Sequence, residues 1–354
     1  MPYGSQHITE QIISDLDEIN QNSTFDLEEL VNNPLVITGA SGFVGTWLAL
    51  SWVSARKKFN GQGQLLITSR NPQSLLPLTY VIDRQSPITA LASEIQNFQI
   101  PNSFRNANLI HAATPASATF NSKNPSGMLK TITGGQEQVL AEAIRMNNKV
   151  LFLSSGAVYG RQPRELSCIT ESWEGAPSIS DSNSAYHEGK RVAELMGNIA
   201  ATHQGLQFIT ARLFAFIAPF LPLDAHFAAG NFIRDAVSSD QIKIQSGGGS
   251  IRSYQYATDL CSNLWALLVR GKNKSAYNVG SSEETSIYDL ACMVASVGNP
   301  KASIIKLGAD TIENTTRYVP STEKIESELG GQHTVLLKDS ITRTIRWYHE
   351  SRNS

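Results

Sequence analysis

The stretch PLVITGASGFVGTWLALSWVSARK, residues 34–57, decides the fold of the first part of this chain. It begins with a β-branched apolar run, passes through a turn rich in glycine, and ends in an apolar segment with helical periodicity. A strand that runs through a tight turn directly into a helix is the opening unit of a parallel α/β sheet. The segment therefore predicts a strand, a turn and a helix in immediate succession.

The glycines of this turn, Gly39, Gly42 and Gly45, have the spacing GxxGxxG. In such a unit the first glycine permits the turn, the second lets the backbone approach a pyrophosphate, and the third allows close helix–strand contact. The free N–H groups at the start of the helix then bind the anion. A purely structural turn is the alternative reading, but the strand–turn–helix context favours dinucleotide binding. We expect the following turn residues to contact the cofactor: Gly39, Ser41, Gly42, Phe43, Val44 and Gly45.

Short apolar runs alternate with amphipathic segments as far as about residue 212. The runs at 63–70, 108–114, 149–160 and 206–219 predict further buried strands, and the segments between them contain predicted helices. This alternation is typical of a parallel sheet covered by helices on both faces. The predicted fold class is α/β, with a Rossmann-type doubly wound parallel sheet and a smaller C-terminal substrate-binding lobe.

The chain divides into segments of different character. Residues 1–32 predict an N-terminal helical extension, and residues 33–212 predict the dinucleotide-binding domain. Beyond residue 212 the pattern becomes irregular and then rich in helix. We therefore expect residues 213–252 and 291–354 to form the substrate-binding lobe, with a segment near 253–290 returning to the first domain.

The composition excludes several classes of function. The formal charge of the 354-residue chain is −2, so we expect neither nucleic acid nor a membrane surface as a partner. The three cysteines are far apart and the histidines lack metal-ligand spacing, which predicts a reducing, cytoplasmic location and no metal site. The N-terminus lacks the pattern of a secretory signal, and the longest apolar run, residues 214–223, is too short to span a bilayer.

The segment SAYHEGK, residues 184–190, places Tyr186 and Lys190 four positions apart at the start of a predicted helix. Residues with this spacing share one helical face. A free tyrosine has a pKa of about 10, so a base that works near neutrality needs a decrease of roughly 3 units, or about 4 kcal/mol. The charge of Lys190, together with an oxidised nicotinamide, is a source for that decrease.

Ser155 ends the predicted strand at 149–155 and is placed to hydrogen-bond the same substrate oxygen as Tyr186. A YxxxK pair by itself is common on surface helices. Its occurrence after a glycine turn and a strand that ends in serines predicts a catalytic set of Ser155, Tyr186 and Lys190.

In a dinucleotide-binding unit, the residue at the end of the second strand, about 20 residues beyond the turn, contacts the ribose of the dinucleotide. Ser69 and Arg70 occupy that place, and no Asp or Glu is present there. An acidic residue would accept from a free 2′-hydroxyl, whereas Arg70 can pair with a 2′-phosphate. The cofactor is therefore NAD or NADP, with NADP favoured by Arg70, and a solvated loop arginine is the alternative.

Together, GASGFVG, LSSGAVYG and YHEGK resemble the extended short-chain dehydrogenase/reductase family, in its branch of NAD(P)-dependent nucleotide-sugar epimerases and dehydratases. The resemblance extends from about residue 33 over almost all of the chain. It implies a hydride transfer from a sugar carbon to NAD(P)+ while Tyr186 takes the hydroxyl proton, followed by return of the hydride to a 4-keto intermediate. It also implies a homodimer formed through the helix near 128–147 and the Tyr/Lys helix.

The resemblance also assigns a substrate, a nucleotide-diphosphate sugar. Asn231 and Arg252 match the residues that bind the diphosphate, and Ala112, Ala113 and Thr114 follow a strand at the predicted nicotinamide site. His226 lies in a loop expected to face the substrate. The expected substrate-binding residues are Thr114, Ser155, Gly156, Ala157, His226, Asn231 and Arg252.

The residues that follow Ser155 bear on the type of reaction. Dehydratases of the family carry an Asp–Glu pair there, whereas this chain has Gly156 and Ala157, which cannot transfer a proton. This difference favours an epimerase over a dehydratase. Ala215, however, stands where epimerases commonly carry an Asn that contacts the substrate, so the sugar stays open.

We therefore predict an NAD(P)-dependent nucleotide-sugar epimerase. A 4,6-dehydratase or a ketoreductase of the same family is the alternative within catalysis. A non-catalytic NAD(P)-binding sensor or scaffold is the alternative of another class, and the complete Ser155/Tyr186/Lys190 set counts against it.

Overall fold

The computed structural model of the chain describes residues 8–115, 117–223, 227–311, 315–331 and 333–353. His226, one of the expected substrate-binding residues, lies outside the described residues.

The described residues contain the following helices: α1 (Glu10–Asn22), α2 (Thr24–Leu30), α3 (Phe43–Lys58), α4 (Leu76–Ile82), α5 (Ala118–Lys123), α6 (Pro125–Met146), α7 (Ala185–His203), α8 (Ala228–Ser238), α9 (Ala257–Arg270), α10 (Ile287–Gly298), α11 (Glu323–Leu329) and α12 (Leu337–Asn353). They contain the following strands: β1 (Leu35–Thr38), β2 (Leu65–Ser69), β3 (Ile88–Ala92), β4 (Asn108–His111), β5 (Lys149–Ser155), β6 (Phe208–Leu213), β7 (Ala215–Phe216), β8 (Gln241–Ile244), β9 (Ile251–Arg252), β10 (Tyr254–Gln255), β11 (Ala276–Val279), β12 (Thr285–Ser286), β13 (Ser303–Lys306) and β14 (Arg317–Tyr318).

The main sheet has seven parallel strands in the order β11-β6-β5-β4-β1-β2-β3. The predicted doubly wound parallel sheet is confirmed. The chain order reverses between β1 and β4, which are neighbours in the sheet. In sheets of this type ligands bind in the crevice outside the carboxyl ends of the strands at such a point. The turn after β1 and the segment after β4 therefore border the expected cofactor crevice.

The strands are apolar on both faces because helices cover both faces. Leu35 and Ile37 face one side, with α1, α3 and α9, and this cluster includes Trp47 and Trp265. Val36 faces the other side, where the cluster includes residues of α6, α7, the neighbouring strands and the segment between β3 and β4. Alternating side chains of one strand thus stabilise both layers.

Helix α1, within the predicted N-terminal extension, is anchored by a buried polar cluster. The Asp15 carboxylate is fully buried, and it accepts hydrogen bonds from Tyr256 Oη at 2.6 Å and from Arg343 at 3.0 Å. Tyr256 precedes α9 and Arg343 lies in α12. The first and last parts of the chain are therefore joined through one carboxylate.

A third apolar cluster gathers residues of α8, α10 and α12 with the parallel pair β8–β13. Strand β9 pairs with β12 and β14, outside the main sheet. Strand β11, from the predicted return segment, adds to the main sheet beside β6. The division of the chain into two lobes at the predicted boundaries stays a prediction. Within the described ranges, no helix has the length and apolar character needed to cross a membrane.

Candidate active site

The glycine turn after β1 lies directly against the segment after β4. Gly39 has a φ of +68°, and a Cβ built there would lie 2.7 Å from the backbone of Ala112 and Ala113. At Gly45 a Cβ would lie 2.4 Å from Gly39 O and 2.7 Å from Ala40 Cα. Both positions therefore require glycine, the first for its backbone conformation and both for the close approach of neighbouring backbone.

The start of α3 suits an anion. The helix begins at Phe43 with Gly42 as its N-cap, and no side chain caps its N–H groups. The positive end of the helix dipole and these N–H groups are free to bind a pyrophosphate. The residues present therefore fit a dinucleotide, with Gly42, Phe43, Val44 and Gly45 at the phosphates.

The ends of β1 and β2 are joined beside this turn. Ser41 Oγ donates a hydrogen bond of 2.9 Å to Ser69 Oγ, which in turn accepts from the Asn71 N–H at 3.2 Å. Arg70 is exposed, and it forms no hydrogen bond or ion pair with the described part of the chain. Its guanidinium is therefore available to a ligand.

Lys190 projects from α7 into the sheet and is 2% exposed. Its Nζ donates to Leu153 O at 2.6 Å and to Thr114 Oγ1 at 2.9 Å, and lies 4.7 Å from the centre of the Phe152 ring. Burial lowers the pKa of this ammonium to about 7, although Glu194 acts in the opposite direction. The lysine thus joins the ends of β4 and β5 at the crevice.

A buried histidine supports the segment after β4. His111 Nδ1 lies 2.8 Å from Thr38 Oγ1, which also accepts a 3.3 Å hydrogen bond from the Ala113 N–H. Burial, with the charge of Lys190, lowers the pKa of His111 to about 3, so the ring is neutral at physiological pH. His111 therefore positions Ala112 and Ala113 and carries no charge into the crevice.

Tyr186 lies in the first turn of α7, four residues before Lys190. Its N–H donates a 3.0 Å hydrogen bond to Asn121 Oδ1, and Asn121 Nδ2 donates to Asn183 O at 2.7 Å. Asn121 of α5 therefore holds the start of the Tyr/Lys helix. This residue was not found in the sequence analysis, because its contact joins positions 65 apart and no local motif marks it.

Burial and a hydrogen bond with Ser155 act on the pKa of Tyr186 in opposite directions. Burial raises the pKa of its phenol, and a hydrogen bond with Ser155 lowers it. The ammonium of Lys190 is directed to Thr114 and Leu153. Activation of Tyr186 as a base by Lys190 and an oxidised nicotinamide stays a prediction.

Ser155 ends β5 beside Tyr186, and its Oγ accepts a 3.2 Å hydrogen bond from the Ala157 N–H. At Gly156 a Cβ would lie 2.5 Å from the ring of Phe214, so this ring fills the space over the glycine. Tyr318 Oη lies 3.5 Å from Ser155 Oγ. Phe214, which follows β6, and Tyr318 of β14 are therefore further residues of the site that the sequence analysis missed, since each comes from a segment far from Ser155 in sequence.

The two expected diphosphate-binding residues have different surroundings. Arg252 of β9 donates to Thr316 O at 3.0 Å and to Thr316 Oγ1 at 2.8 Å, and burial lowers the pKa of its guanidinium. Its strand pairs with β14, so it lies opposite Tyr318. Asn231 accepts a 3.1 Å hydrogen bond from Arg234, and no hydrogen bond described for it reaches the catalytic set.

The structure thus brings Ser155, Tyr186, Lys190 and Thr114 together at the carboxyl edge of the sheet. Arg252 lies opposite Tyr318 in the β9–β14 pair, and the Tyr318 hydroxyl lies 3.5 Å from Ser155 Oγ. An ion pair lies next to this set, in which Arg212 donates to both Glu194 oxygens and Ser154 Oγ donates to Glu194 at 2.5 Å. The roles of the individual residues stay predictions.

Residues 35–280 match the model of the NAD dependent epimerase/dehydratase family. Among curated proteins, the chain is 28% identical over 242 residues to UDP-glucuronic acid decarboxylase 1 of Xenopus tropicalis, covering 68% of this chain and 56% of the relative. It is 26% identical over 320 residues to UDP-glucuronic acid decarboxylase 1 of Arabidopsis thaliana, covering 88% of this chain and 68% of the relative. The chain thus spans little more than half the length of the Xenopus relative.

Solved structures share the fold. A dTDP-glucose 4,6-dehydratase of Streptomyces venezuelae with NAD bound superposes with a TM-score of 0.76 at 20% identity, covering 90% of this chain and 98% of the other. A UDP-glucuronic acid 4-epimerase of Bacillus cereus, also with NAD, gives 0.77 at 18% identity, covering 90% and 99%. These identities establish the fold, and the family match covers more than half of the chain. The chain belongs to the NAD dependent epimerase/dehydratase family.

Proposed function

We propose that the protein is an NAD(P)-dependent nucleotide-sugar epimerase that works through a transient 4-keto intermediate, with Tyr186 as acid and base. The observation that carries the proposal is the assembly of Ser155, Tyr186 and Lys190 at the cofactor crevice. The two positions after Ser155 carry no acid.

In this mechanism Tyr186 accepts the proton of the sugar hydroxyl and later returns it. Ser155 donates a hydrogen bond to the same oxygen, and Lys190, held by Thr114 and Leu153 one helical turn from Tyr186, is the proposed cation that favours the phenolate when it is protonated. A bound NAD(P)+ supplies the hydride acceptor. Arg252 and Asn231 are the proposed ligands of the nucleotide diphosphate, because a guanidinium fork suits phosphate oxygens.

Dehydration by the usual route needs carboxyl groups next to the reacting carbons, and Gly156 and Ala157 cannot supply them. Glu194, which accepts a hydrogen bond from Ser154 Oγ, is already paired with Arg212 at 2.7 Å. An epimerase needs no such acid, because the hydride only has to return to the opposite face of the ketone that the oxidation formed.

The names of the relatives favour a second candidate, decarboxylation of a nucleotide-linked uronic acid. Oxidation at the 4-position of such a sugar gives a β-keto acid, which loses CO2 without help from a carboxylate base. The two candidates therefore share the Tyr186 step and differ in the fate of the intermediate.

The proposed cofactor is NAD or NADP. The exposed Arg70 at the end of β2, and the absence of an acid at 69–70, support a preference for NADP, whereas the family description and the NAD-bound structures name NAD.

We also propose a cytoplasmic homodimer formed through α6 and α7. Val192, Leu195 and Ile199 form an apolar stripe on α7 with 39%, 58% and 50% of their surfaces exposed, and Leu129 of the adjacent α6 is 38% exposed. A stripe with this helical spacing on two packed helices suits a second copy of the same face.

Product analysis tests the function. UDP-glucose, UDP-glucuronic acid and dTDP-glucose are incubated with the protein and NAD+ or NADP+, and the products are resolved by mass and NMR. An epimer has the mass of its substrate, a dehydratase product has lost water, a decarboxylase product has lost CO2, and a ketoreductase consumes reduced cofactor.

Tyr186→Phe tests the proposed base. We expect this variant to bind cofactor with unchanged affinity and to lose hydride transfer by at least about a hundredfold. Tyr80→Phe removes a hydroxyl from an exposed tyrosine of α4 and serves as the control. Full activity in Tyr186→Phe would exclude the mechanism.

A further inference from the structure

One face of α7 holds the end of strand β5. A four-residue interval along this helix separates Tyr186 from Lys190 and Lys190 from Glu194, so the three side chains form one stripe. Lys190 Nζ donates to Leu153 O at 2.6 Å, and Glu194 Oε1 accepts from Ser154 Oγ at 2.5 Å. Lys190 and Glu194 therefore bind consecutive residues of β5.

The Glu194 carboxylate lies between two cations. Lys190 joins β5 to the segment after β4, because its ammonium also donates to Thr114 Oγ1 at 2.9 Å. Glu194 joins β5 to β6, because its oxygens accept from Arg212 at 2.7 to 3.2 Å. Strand β5 stands between β4 and β6 in the sheet. The carboxylate therefore has the Lys190 ammonium on its β4 side and the Arg212 guanidinium on its β6 side.

Both Lys190 and Glu194 are buried, so their charges interact with little screening by water. Burial lowers the pKa of the Lys190 ammonium to about 7, and Glu194 acts to raise it. His111, which acts on Lys190 from β4, is neutral at physiological pH, and burial raises the pKa of the Tyr186 phenol. Arg212 approaches from β6 and binds the carboxylate. Among these groups, Glu194 is the anion that favours a protonated Lys190.

We propose that Glu194 is a positioning residue of the catalytic set: its carboxylate, anchored by Arg212, supplies the negative charge that holds the Lys190 ammonium in its protonated form. This inference rests on the proposed function, because protonated Lys190 is the proposed cation that favours the Tyr186 phenolate. Glu194 acts through Lys190 and has no part of its own in proton or hydride transfer.

Titration of Lys190 itself tests the inference. The protein without cofactor is labelled with 13C-lysine, and the loss of one signal in Lys190→Met identifies the Lys190 Cε resonance, which is then followed by NMR as the pH is raised. Glu194→Gln keeps an acceptor for Ser154 and removes the charge. We expect the Lys190 step to move at least about one pH unit lower, which reduces the protonated fraction above the step about tenfold.

Arg212→Gln tests the sign of the effect. It removes the guanidinium and leaves the carboxylate facing the Lys190 ammonium, so the Lys190 step should move to higher pH. If the ion pair served only to hold the structure, the two variants would not shift the step in opposite directions. Cooperative thermal unfolding shows whether each variant is folded, and either one alone decides the direction if the other is not.

Glu188→Gln is the matched control. It removes the same charge from the same helix, but Glu188 is partly exposed and pairs with Arg191 at 3.5 Å. We expect the Lys190 step to stay at its wild-type position in this variant. A Lys190 step that stays in place in Glu194→Gln, or that moves equally in Glu188→Gln, would overturn the inference.

The pH dependence of kcat/KM connects this titration to the proposed function. Its basic limb should move to lower pH in Glu194→Gln, with KM unchanged below the limb, because Glu194 acts through Lys190. If the wild-type protein converts none of the nucleotide sugars tested, the proposed function fails. The NMR titration needs no substrate, so it still decides whether Glu194 holds Lys190 protonated.

Discussion

The ammonium of Lys190 donates a 2.9 Å hydrogen bond to the hydroxyl of Thr114, which joins the Tyr/Lys helix to the segment that follows strand β4. The only other hydrogen bond described for this ammonium runs to Leu153 O. A buried ammonium with few acceptors depends strongly on each of them.

Thr114→Val should therefore reduce hydride transfer by about tenfold, because Lys190 loses an acceptor and its pKa, already lowered to about 7 by burial, decreases further. Thr114→Ser keeps the hydroxyl and should stay within about twofold of wild type. Single-turnover reduction of the cofactor measures both. Equal rates in the two variants would show that the hydroxyl contributes nothing.

Gly45→Ala should abolish cofactor binding. The added Cβ would lie 2.4 Å from Gly39 O, so the turn that accepts the pyrophosphate must move. Gly134→Ala in α6 is the control, because its Cβ would meet only Gln96 Cγ at 3.5 Å, an ordinary contact, and alanine favours a helix. Cofactor dissociation constants from calorimetry decide the comparison, and unaltered binding in Gly45→Ala would argue against the turn as the phosphate site.

Arg70→Ala should weaken NADPH binding by about tenfold and leave NADH binding unchanged, because a charge-assisted hydrogen bond to the 2′-phosphate is lost. Arg84→Ala removes another exposed arginine, which precedes β3 and so lies towards the opposite edge of the parallel sheet, and should change neither affinity. Fluorescence titration with both reduced cofactors gives the constants. A wild-type protein that prefers NADH would contradict the assignment of Arg70.

Asp15 should make the stability of the protein fall as the pH rises from about 4 to about 7. Burial, as the largest effect, raises its pKa from 3.8 to about 6, although Tyr256 and Arg343 act in the opposite direction. The folded protein therefore holds this proton more tightly than the unfolded chain does. The resulting stabilisation is complete below the unfolded pKa and is lost as the pH rises through the folded pKa, at a cost of about 3 kcal/mol.

Urea unfolding at several pH values measures this contribution. Asp15→Asn should flatten the pH dependence between pH 4 and 7, and Asp17→Asn, on the exposed face of α1, should leave it as in wild type. The neighbouring Glu18, which accepts a 2.6 Å hydrogen bond from Arg343, is unchanged in both variants, so the comparison isolates Asp15. Parallel curves for wild type and Asp15→Asn would show that Asp15 has the same proton affinity in both states.

Leu195→Glu should convert the proposed dimer to a monomer, because it places a charge in the middle of the exposed stripe on α7. Ile179→Glu changes a residue that is 90% exposed and lies between β5 and α7, outside this face, and should keep the dimer. Sedimentation velocity distinguishes the two states. A wild-type protein that sediments as a monomer would contradict the proposed dimer.

The parallel sheet, the glycine turn and the Tyr/Lys helix could be predicted because each depends on local patterns. The spacing of Gly39, Gly42 and Gly45 and the four-residue interval from Tyr186 to Lys190 specify local geometry within one strand–turn–helix unit or one helical turn. The serine at the end of β5 follows from the parallel arrangement, which brings the carboxyl ends of all strands to one edge.

The partners of these residues depend on contacts between distant positions. Tyr318 approaches Ser155 across 163 residues, and Asp15 pairs with Arg343 across 328. Neither contact has a periodic signature, because it depends on how β14 pairs with β9 and how α12 packs on α1. The direction of the Tyr186 pKa likewise depends on burial, which neighbours from several elements produce together.

The sequence by itself thus determined the family fold and the identity of the proposed catalytic set, because both depend on short-range spacing and on hydrophobic periodicity. Only the tertiary structure decided which groups hydrogen-bond that set and how much water reaches it. Those properties arise where segments far apart in sequence come together, and they depend on packing that no single segment contains.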